Sequence, residues 1–251
     1  MTVSLLDDKR GMPQQERLGF LLWSRSADHR ALVARTVLEL EGLASRFHRP
    51  YVAVSAGKDS TVCLHLALQA WDPAQVLVWY WDYGSWLMPR PYHRECLDII
   101  THVIGDLGSR FRVDVRPGGR ESREDCATGY RAFFGAIRRM VDEEGRDFGL
   151  TGMRSSEGKR RAQRLAQGPI ETGHNPCPLA HPLRDWRAAD VWAYLVSRDL
   201  PHHSTYDTRA VLSGYASERT RLVTFFDGEF ARFGSPGVDG LFSWRFRGSP
   251  D

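Results

Sequence analysis

The chain has 251 residues, of which 42% are hydrophobic and 26% charged, so it can bury a full core and is neither collagen-like nor intrinsically disordered. The longest apolar run, residues 76–81, is far shorter than the roughly 20 residues that cross a bilayer. We therefore expect no membrane span and no membrane partner. The N-terminus carries acids where a signal peptide carries bases, which favours a cytoplasmic protein.

The net charge of +3 permits nucleic acid as a partner but does not favour it. Arginine supplies nearly all of the 34 basic residues, since the chain has three lysines. Lys58 and Lys159 are thus candidates for a chemical role, because an ammonium does not replace a planar guanidinium. The four cysteines form no Cys-x-x-Cys pair, which favours reduced thiols and argues against an iron–sulfur or structural zinc framework.

The spacing of apolar residues predicts helices that alternate with strands. We predict helices over residues 26–47, with Ser26 as a cap, 60–70, 90–107 and 122–144, and strands over 51–54, 76–81, 111–115 and 147–151. Such alternation indicates right-handed βαβ crossovers, and so an α/β fold with a Rossmann-like parallel sheet covered by helices on both faces. The predicted organisation is an N-terminal helical addition (1–49), a central α/β domain (50–207) and a C-terminal extension (208–251).

Three predicted strands end in loops with polar or glycine residues: 55–60, 82–84 and 152–154. Because ligands of parallel sheets bind beyond the carboxyl ends of the strands, we expect these loops to share one site. The first loop, Ser55-Ala56-Gly57-Lys58-Asp59-Ser60, also opens a helix, and unpaired N–H groups at a helix start attract anions. We call this segment the phosphate loop.

The phosphate loop is not a Walker A motif, because position 52 is a valine and Asp59 follows Lys58 where Ser or Thr is required. Taken alone, it also fits an ordinary strand-to-helix turn with capping serines. It resembles the Ser-Gly-Gly-x-Asp-Ser loop of the adenine nucleotide α-hydrolase (PP-loop) superfamily, with Ala56 at the first glycine.

Three further segments resemble the 3′-phosphoadenylyl sulfate (PAPS) reductase-like family of that superfamily, which includes the small subunit of bacterial ATP sulfurylase. Asp82-Tyr83-Gly84 resembles its Asp-Thr-Gly, and residues 152–161 resemble its Gly-x-Arg-(x)2-Glu-x-(x)-Arg. The longest match is residues 182–195, which resemble Pro-Leu-x-Asp-Trp-x-x-x-Asp-Val-Trp-x-Tyr-Leu. In this last segment we expect Asp185 to cap a helix.

The resemblance implies a role for each matching residue. The pyrophosphate of a nucleotide would be held by Ser55, Ala56, Gly57 and Ser60 and neutralised by Lys58, while Asp59 would orient Mg²⁺ directly or through water. Asp82 and Gly84 would place the adenosine, and Gly152 would let the backbone approach the ligand. Arg154 and Arg161 would hold the acceptor or the transferring phosphate, whereas Arg160 and Arg164 are expected at the surface.

The resemblance also implies an activity: cleavage of ATP between its α- and β-phosphates, with adenylyl transfer to a small-molecule or macromolecular oxyanion acceptor. ATP and Mg²⁺ are the expected cofactors, and a protein partner or a homo-oligomer is compatible with the family. Three alternatives stay open: a PAPS or adenylyl sulfate reductase or sulfotransferase that uses an external thiol, a tRNA or DNA sulfur-modification enzyme, and a non-catalytic nucleotide-binding partner. The catalytic cysteine of the reductases has no counterpart, since no cysteine follows Cys177.

Cys177 and four histidines have the side chains of zinc ligands, but their spacing fits a metal site poorly. A solvated, proline-stiffened loop is the better interpretation of His174, Cys177 and His181, and His202 and His203 follow further on. A sulfur-carrying role for Cys177 stays a minor alternative.

Overall fold

The computed structural model describes residues 11–82, 84, 88, 90–115, 129–173, 175–207, 214–218 and 222, with the backbone alone over 129–131. Seven helices are described: α1 (Gln14–Ser24), α2 (Ala27–Ala44), α3 (Lys58–Ala70), α4 (Arg90–Ile104), α5 (Gly129–Glu144), α6 (Lys159–Leu165) and α7 (Ala188–Ser197). Six strands are described: β1 (Pro50–Val54), β2 (Leu77–Asp82), β3 (Arg110–Val115), β4 (Phe148–Thr151), β5 (Ile170–Glu171) and β6 (Leu179–Ala180).

The strands form one sheet in the order β3-β2-β1-β4-β6-β5. All neighbouring pairs are parallel except β5 and β6, which run antiparallel. The predicted α/β fold with a parallel sheet is therefore confirmed. The edge pair β5–β6 was not predicted, because two residues are too short to show an apolar period.

Both faces of the central strands are covered, as β2 shows. All six of its residues are buried, and the first five alternate between two apolar clusters. Val78 and Tyr80 pack with residues of α3, α4 and α7, whereas Trp79 and Trp81 pack with residues of α5. Alternation between faces is the geometry of an extended strand, and burial on both sides is typical of parallel sheets.

Helices α1 and α2 pack on the sheet domain. Ser26 caps α2, as predicted, by accepting a hydrogen bond from the N–H of His29 at 3.1 Å. In α1, Phe20 stacks on Trp192 of α7 with ring centroids 6.3 Å apart, and Trp23 Nε1 donates to Asp190 Oδ1 at 2.7 Å. None of the helices over the described ranges is both long and apolar enough to cross a membrane.

Several predicted boundaries shift. Helix α3 begins at Lys58, two residues earlier than predicted, and α4 ends at Ile104 because Gly105 adopts a positive φ of 51°. The predicted cap of α7 was wrong: Asp190 Oδ2 accepts from the N–H of Arg187 at 2.8 Å, while the exposed Asp185 lies beside Arg184. The predicted start of α5, residues 122–128, falls outside the described residues.

Candidate functional site

A cavity of about 470 Å³ opens at the carboxyl ends of the strands. It extends from the phosphate loop along the face of the sheet that α5 covers, and α6 lies on its far side. Several predicted site residues line this cavity: Ser55, Gly57, Asp59, Ser60, Gly152 and Arg161. The other predicted site residues that the structure describes do not line it: Ala56, Lys58, Asp82, Gly84 and Arg154.

The phosphate loop is a tight turn closed by its own serines. The N–H of Ser55 donates to Ser60 Oγ at 3.2 Å, and the Ser60 hydroxyl donates to the carbonyl of Gly57 at 3.0 Å. Ala56 has a φ of 57°, a left-handed conformation that glycine adopts without strain. This conformation explains why the resembling loops carry glycine there, and it makes Ala56 a strained residue.

Gly152 allows the end of β4 to touch the first turn of α3. A Cβ at this position would lie 2.6 Å from the backbone carbonyl carbon and oxygen of Asp59 and 2.8 Å from the nitrogen of Ser60. No side chain fits there without moving the backbone. Gly152 therefore approaches the protein's own helix start, and this contact places residues 153–157 beside the phosphate loop.

Lys58, Asp59 and Arg154, the charged residues predicted to act in the reaction, meet in one buried ion network. Lys58 Nζ lies 2.8 Å from Asp59 Oδ2, and Arg154 Nε lies 2.6 Å from Asp59 Oδ1, while the Lys58 and Arg154 side chains are 0% exposed. Burial lowers the pKa of Lys58. Burial would raise the pKa of Asp59, but the charges of Arg154 and Lys58 outweigh it and leave that pKa lowered. Asp59 is thus held as a carboxylate between two cations.

The remaining nitrogens of Arg154 are also bonded within the protein. Arg154 Nη1 donates to Ser156 Oγ at 2.8 Å and to Glu218 Oε2 at 2.5 Å, and Nη2 donates to the Glu218 carbonyl at 3.2 Å. Glu218 Oε2 also accepts from the N–H of Ala188 at 3.0 Å, which ties it to the start of α7. Glu218 was not predicted, because a single glutamate outside any motif carries no signal.

Three arginines of α6 line the cavity: Arg160, Arg161 and Arg164. Arg161 pairs with Glu157, and Arg164 pairs with Glu171, where the hydrogen bond from Arg164 helps to hold the pKa of Glu171 at about 2. Arg160 and Arg164 are exposed, as expected, yet both contribute to the cavity.

The Asp82 side chain closes a local turn. Asp82 Oδ1 accepts from the N–H of Gly84 at 2.8 Å, and Oδ2 lies 3.6 Å from His93 Nε2 on α4. Gly84 has a φ of 85°, a conformation that favours glycine. This geometry is what an Asp-x-Gly turn alone would produce.

Tyr206 lines the cavity, although it lies outside the segments that predicted the site. Its buried hydroxyl accepts from the N–H groups of Lys58 and Leu222, each at 3.2 Å. Its ring centroid lies 5.7 Å from Lys58 Nζ, and burial raises the pKa of the hydroxyl. The Tyr206 hydroxyl therefore accepts the backbone hydrogen bond of Lys58, the first residue of α3.

An aromatic surface was also missed as part of the site. Trp79 and Trp81 of β2 line the cavity with Phe133 of α5. The Phe133 ring centroid lies 5.4 Å from that of Trp79 and 5.8 Å from that of Trp81. We call these three residues the aromatic wall. In the sequence, both tryptophans look like the interior of a buried strand.

Cys177 and the histidines that the structure describes have separate partners. His181 Nδ1 lies 2.7 Å from Thr151 Oγ1 at the cavity, His202 pairs with Asp207, and His203 pairs with Glu95. His174 lies outside the described residues. Within the described ranges, no group of three or more His, Cys, Asp or Glu could hold a metal ion. Burial raises the pKa of Cys177 to about 11, which disfavours its thiolate.

Comparison with known proteins agrees with this architecture. The sequence profile described as "Phosphoadenosine phosphosulfate reductase domain" matches residues 49–234. Sulfate adenylyltransferase subunit 2 of Maricaulis maris is 25% identical over 209 residues, covering 70% of this chain and 66% of the relative. Sulfate adenylyltransferase subunit 2 of Bradyrhizobium sp. is 27% identical over 199 residues, covering 68% of this chain and 60% of the relative. The chain thus spans less than two thirds of the length of these relatives.

Among solved structures, the phosphoadenylyl-sulfate (PAPS) reductase of Candida auris, in a phosphate complex, is similar with a TM-score of 0.50. The match covers 78% of this chain and 92% of the reductase at 18% sequence identity. A likeness at this identity concerns the fold.

Proposed function

Since the chain belongs to the phosphoadenosine phosphosulfate reductase domain family, we propose that it binds ATP and transfers the adenylyl group to an oxyanion acceptor, with release of pyrophosphate. The observation that carries this proposal is the phosphate loop, which opens α3 at the rim of a cavity bordered by three arginines of α6. The names of the sulfate adenylyltransferase relatives support adenylyl transfer over other uses of such a site.

In this proposal the pyrophosphate lies against Ser55, Gly57 and Ser60, which line the cavity. The first-turn N–H groups of α3 have no partner within the helix, and the helix start carries a partial positive charge. Lys58 and Arg154 are buried behind the loop and act there through their charge and by positioning Asp59. The adenosine is assigned to Asp82 and Gly84, which follow the neighbouring strand β2.

The proposed role of Asp59 toward Mg²⁺ is limited by its ion pairs. Both carboxylate oxygens are engaged, one by Lys58 and one by Arg154. Mg²⁺ in proteins usually keeps several waters and is bound by few carboxylates together with substrate phosphates. Asp59 therefore fits Mg²⁺ through a bridging water. Bound with ATP, the ion would neutralise charge on the leaving pyrophosphate.

The proposed reaction is an in-line displacement at the α-phosphorus. An acceptor oxygen forms a bond to this phosphorus, the bond to the oxygen that bridges the α- and β-phosphates breaks, and pyrophosphate leaves with the electron pair. Positioning and charge neutralisation supply most of the acceleration in such transfers. Arg161 is assigned to hold the acceptor or the transferring phosphate; its position at the cavity, where it pairs with Glu157, supports this role.

A sulfated nucleotide is the second candidate substrate, and the description of the matching family favours it. Reduction by the Cys177 thiol is unfavourable, because Cys177 is buried and its pKa is raised to about 11. An external thiol would be required. The designation of the relatives as subunit 2 supports a protein partner for either activity.

A panel of ligands tests the proposal by thermal unfolding with ATP, adenylyl sulfate and PAPS, each with and without Mg²⁺. A ligand at about 100 times its dissociation constant adds ~2.7 kcal/mol, which raises the melting temperature of a chain of this size by about 5–10 °C. We expect ATP to give the largest shift, and Ser60→Ala to reduce it, whereas Ser24→Ala, outside the site, should not. Stabilisation by PAPS without any by ATP would favour the reductase alternative, and no shift with any nucleotide would refute the proposal.

A further inference from the structure

Thr151 lies at the end of β4, close to the phosphate loop. It pairs with Ala53 of β1 across the parallel sheet, two residues before Ser55, and all three residues line the cavity. Gly152, the next residue in the chain, approaches the first turn of α3. A nucleotide held at the phosphate loop therefore has Thr151 as a neighbour.

The Thr151 hydroxyl is bonded to a buried histidine. His181 Nδ1 lies 2.7 Å from Thr151 Oγ1, and His181 Nε2 lies 3.4 Å from Glu171 Oε2. His181 is 1% exposed, and no group in the described ranges forms a hydrogen bond with its Nε2. The distance to Glu171 is longer than a normal hydrogen bond, but at this range the carboxylate charge still acts on Nε2.

These contacts decide which imidazole nitrogen of His181 carries the proton. Arg164 binds both oxygens of Glu171, and its hydrogen bonds help to hold the pKa of Glu171 at about 2, so Glu171 is an anion at neutral pH. Burial lowers the pKa of His181 more than Glu171 raises it, which favours a neutral imidazole with one N–H. The anion favours this proton on Nε2, the nitrogen that faces it. Nδ1 is then an acceptor, and Thr151 donates its hydroxyl proton to it.

The Thr151 oxygen is left with lone pairs that a ligand in the cavity can use. A hydroxyl has one proton and two lone pairs, and this proton is committed to His181. The oxygen can therefore accept a hydrogen bond from a ligand. It cannot donate one to a phosphate or carboxylate oxygen without breaking its bond to His181. Among the residues that the structure describes, His181 is the one hydrogen-bond partner of Thr151 Oγ1.

We propose that Thr151 is a specificity-determining residue of the nucleotide site, whose oxygen accepts a hydrogen bond from an uncharged donor group of the bound nucleotide. Two parts of ATP carry such groups: the ribose with its hydroxyls and the adenine with its amino group. His181 and Glu171 are positioning residues, because they fix the direction of the Thr151 proton. The inference rests on the proposed binding of ATP and specifies how the site recognises the nucleotide.

The test measures dissociation constants by calorimetry for ATP and for three analogues that each lack one donor: 2′-deoxy-ATP, 3′-deoxy-ATP and inosine triphosphate. One analogue should bind the parent protein about 3- to 10-fold more weakly than ATP, which is the usual contribution of one neutral hydrogen bond. Thr151→Val keeps the shape but removes the oxygen, and should weaken ATP binding by the same factor without weakening that analogue further. Thr151→Ser keeps the oxygen and should bind ATP like the parent. The analogue concerned shows whether a ribose hydroxyl or the amino group is the donor.

The position of the imidazole proton is measured by ¹⁵N nuclear magnetic resonance of the histidine side chains, with His181 identified by the signals that His181→Asn removes. We expect the form protonated on Nε2. The form protonated on Nδ1 would overturn the inference, because the Thr151 oxygen would then accept from His181 and its own proton would be free for an anion.

The matched control for the loss of a hydroxyl is Thr36→Val. Thr36 is also buried and its hydroxyl is also bonded, but it does not line the cavity, so this variant should bind ATP like the parent. Equal affinity of the parent for ATP and all three analogues would overturn the inference without any variant. An equal loss for ATP and every analogue in Thr151→Val would also overturn it, since this indicates a structural role. Failure of the parent to bind ATP would instead refute the proposed function itself.

Discussion

Replacing Asp59 with asparagine should destabilise the protein strongly, because Asp59 is the shared anion of two buried cations. Its two oxygens lie 2.8 Å from Lys58 Nζ and 2.6 Å from Arg154 Nε, and both partner side chains are 0% exposed. The neutral amide keeps the shape but removes the charge. Removing one partner of a buried pair costs about 3–5 kcal/mol, since it leaves a buried charge uncompensated.

For a chain of this size, each kcal/mol shifts the melting temperature by about 2–4 °C, so Asp59→Asn should lower it by about 6–20 °C at pH 7. The matched control is Asp185→Asn. The Asp185 side chain is 59% exposed, and its Oδ2 pairs with Arg184 Nε at 3.6 Å. An exposed pair of this kind contributes about 0–1 kcal/mol, so the control should melt within a few degrees of the parent. A melting temperature of Asp59→Asn equal to that of the control would refute the buried network.

The effect should also depend on pH with a defined sign. The pKa of Asp59 is lowered in the folded protein, so its contribution is complete above the pKa of the unfolded chain, about 3.9. This contribution is lost as the pH falls through the lower, folded pKa. The difference in melting temperature between parent and Asp59→Asn should therefore be constant from pH 5 to 7 and shrink below about pH 4. A difference that grows on acidification would contradict this.

Three further substitutions test separate parts of the site. Ala56→Gly removes about 1–2 kcal/mol of strain from the left-handed backbone conformation. It also removes a buried methyl group, which costs ~0.8 kcal/mol of stability, and gives the unfolded chain more conformational entropy, which costs ~0.4–1 kcal/mol. Because these contributions nearly cancel, the melting temperature should stay within about 3 °C of the parent's. Tyr206→Phe leaves the N–H groups of Lys58 and Leu222 without their acceptor. Calorimetry should therefore show that the free energy of unfolding falls by about 1–3 kcal/mol. Cys177→Ser should leave pyrophosphate release unchanged; loss of turnover with ATP binding intact would point to an internal thiol.

The parallel sheet could be predicted because its central strands are short apolar runs between helices. Strand β2 is buried at every residue, and such a run is recognisable without any partner strand. Helix α1 could not be predicted, because Leu18 and Leu22 are exposed and blur its apolar period. The edge strands β5 and β6 have two residues each and depend on pairing, which the local sequence does not encode.

The site could be predicted where one segment carries the signal, and not where distant segments meet. The phosphate loop and Gly152 are recognisable from local pattern, and both lie at the cavity. The partners of Arg154 are not recognisable from local pattern, because Asp59 is 95 positions away in the sequence and Glu218 is 64 positions away. Only the folded chain shows that this arginine is bonded within the protein, with Asp59, Ser156 and Glu218 as its partners.

Identifying the bond of ATP that breaks tests the central claim most directly. The protein is incubated with ATP, Mg²⁺ and sulfate, and in a parallel sample with ATP, PAPS and an added thiol, and the products are resolved by ³¹P nuclear magnetic resonance. Attack at the α-phosphorus predicts pyrophosphate and an adenylylated acceptor, with no ADP. Formation of ADP and orthophosphate, or persistence of ATP while PAPS is reduced by an added thiol, would contradict the account.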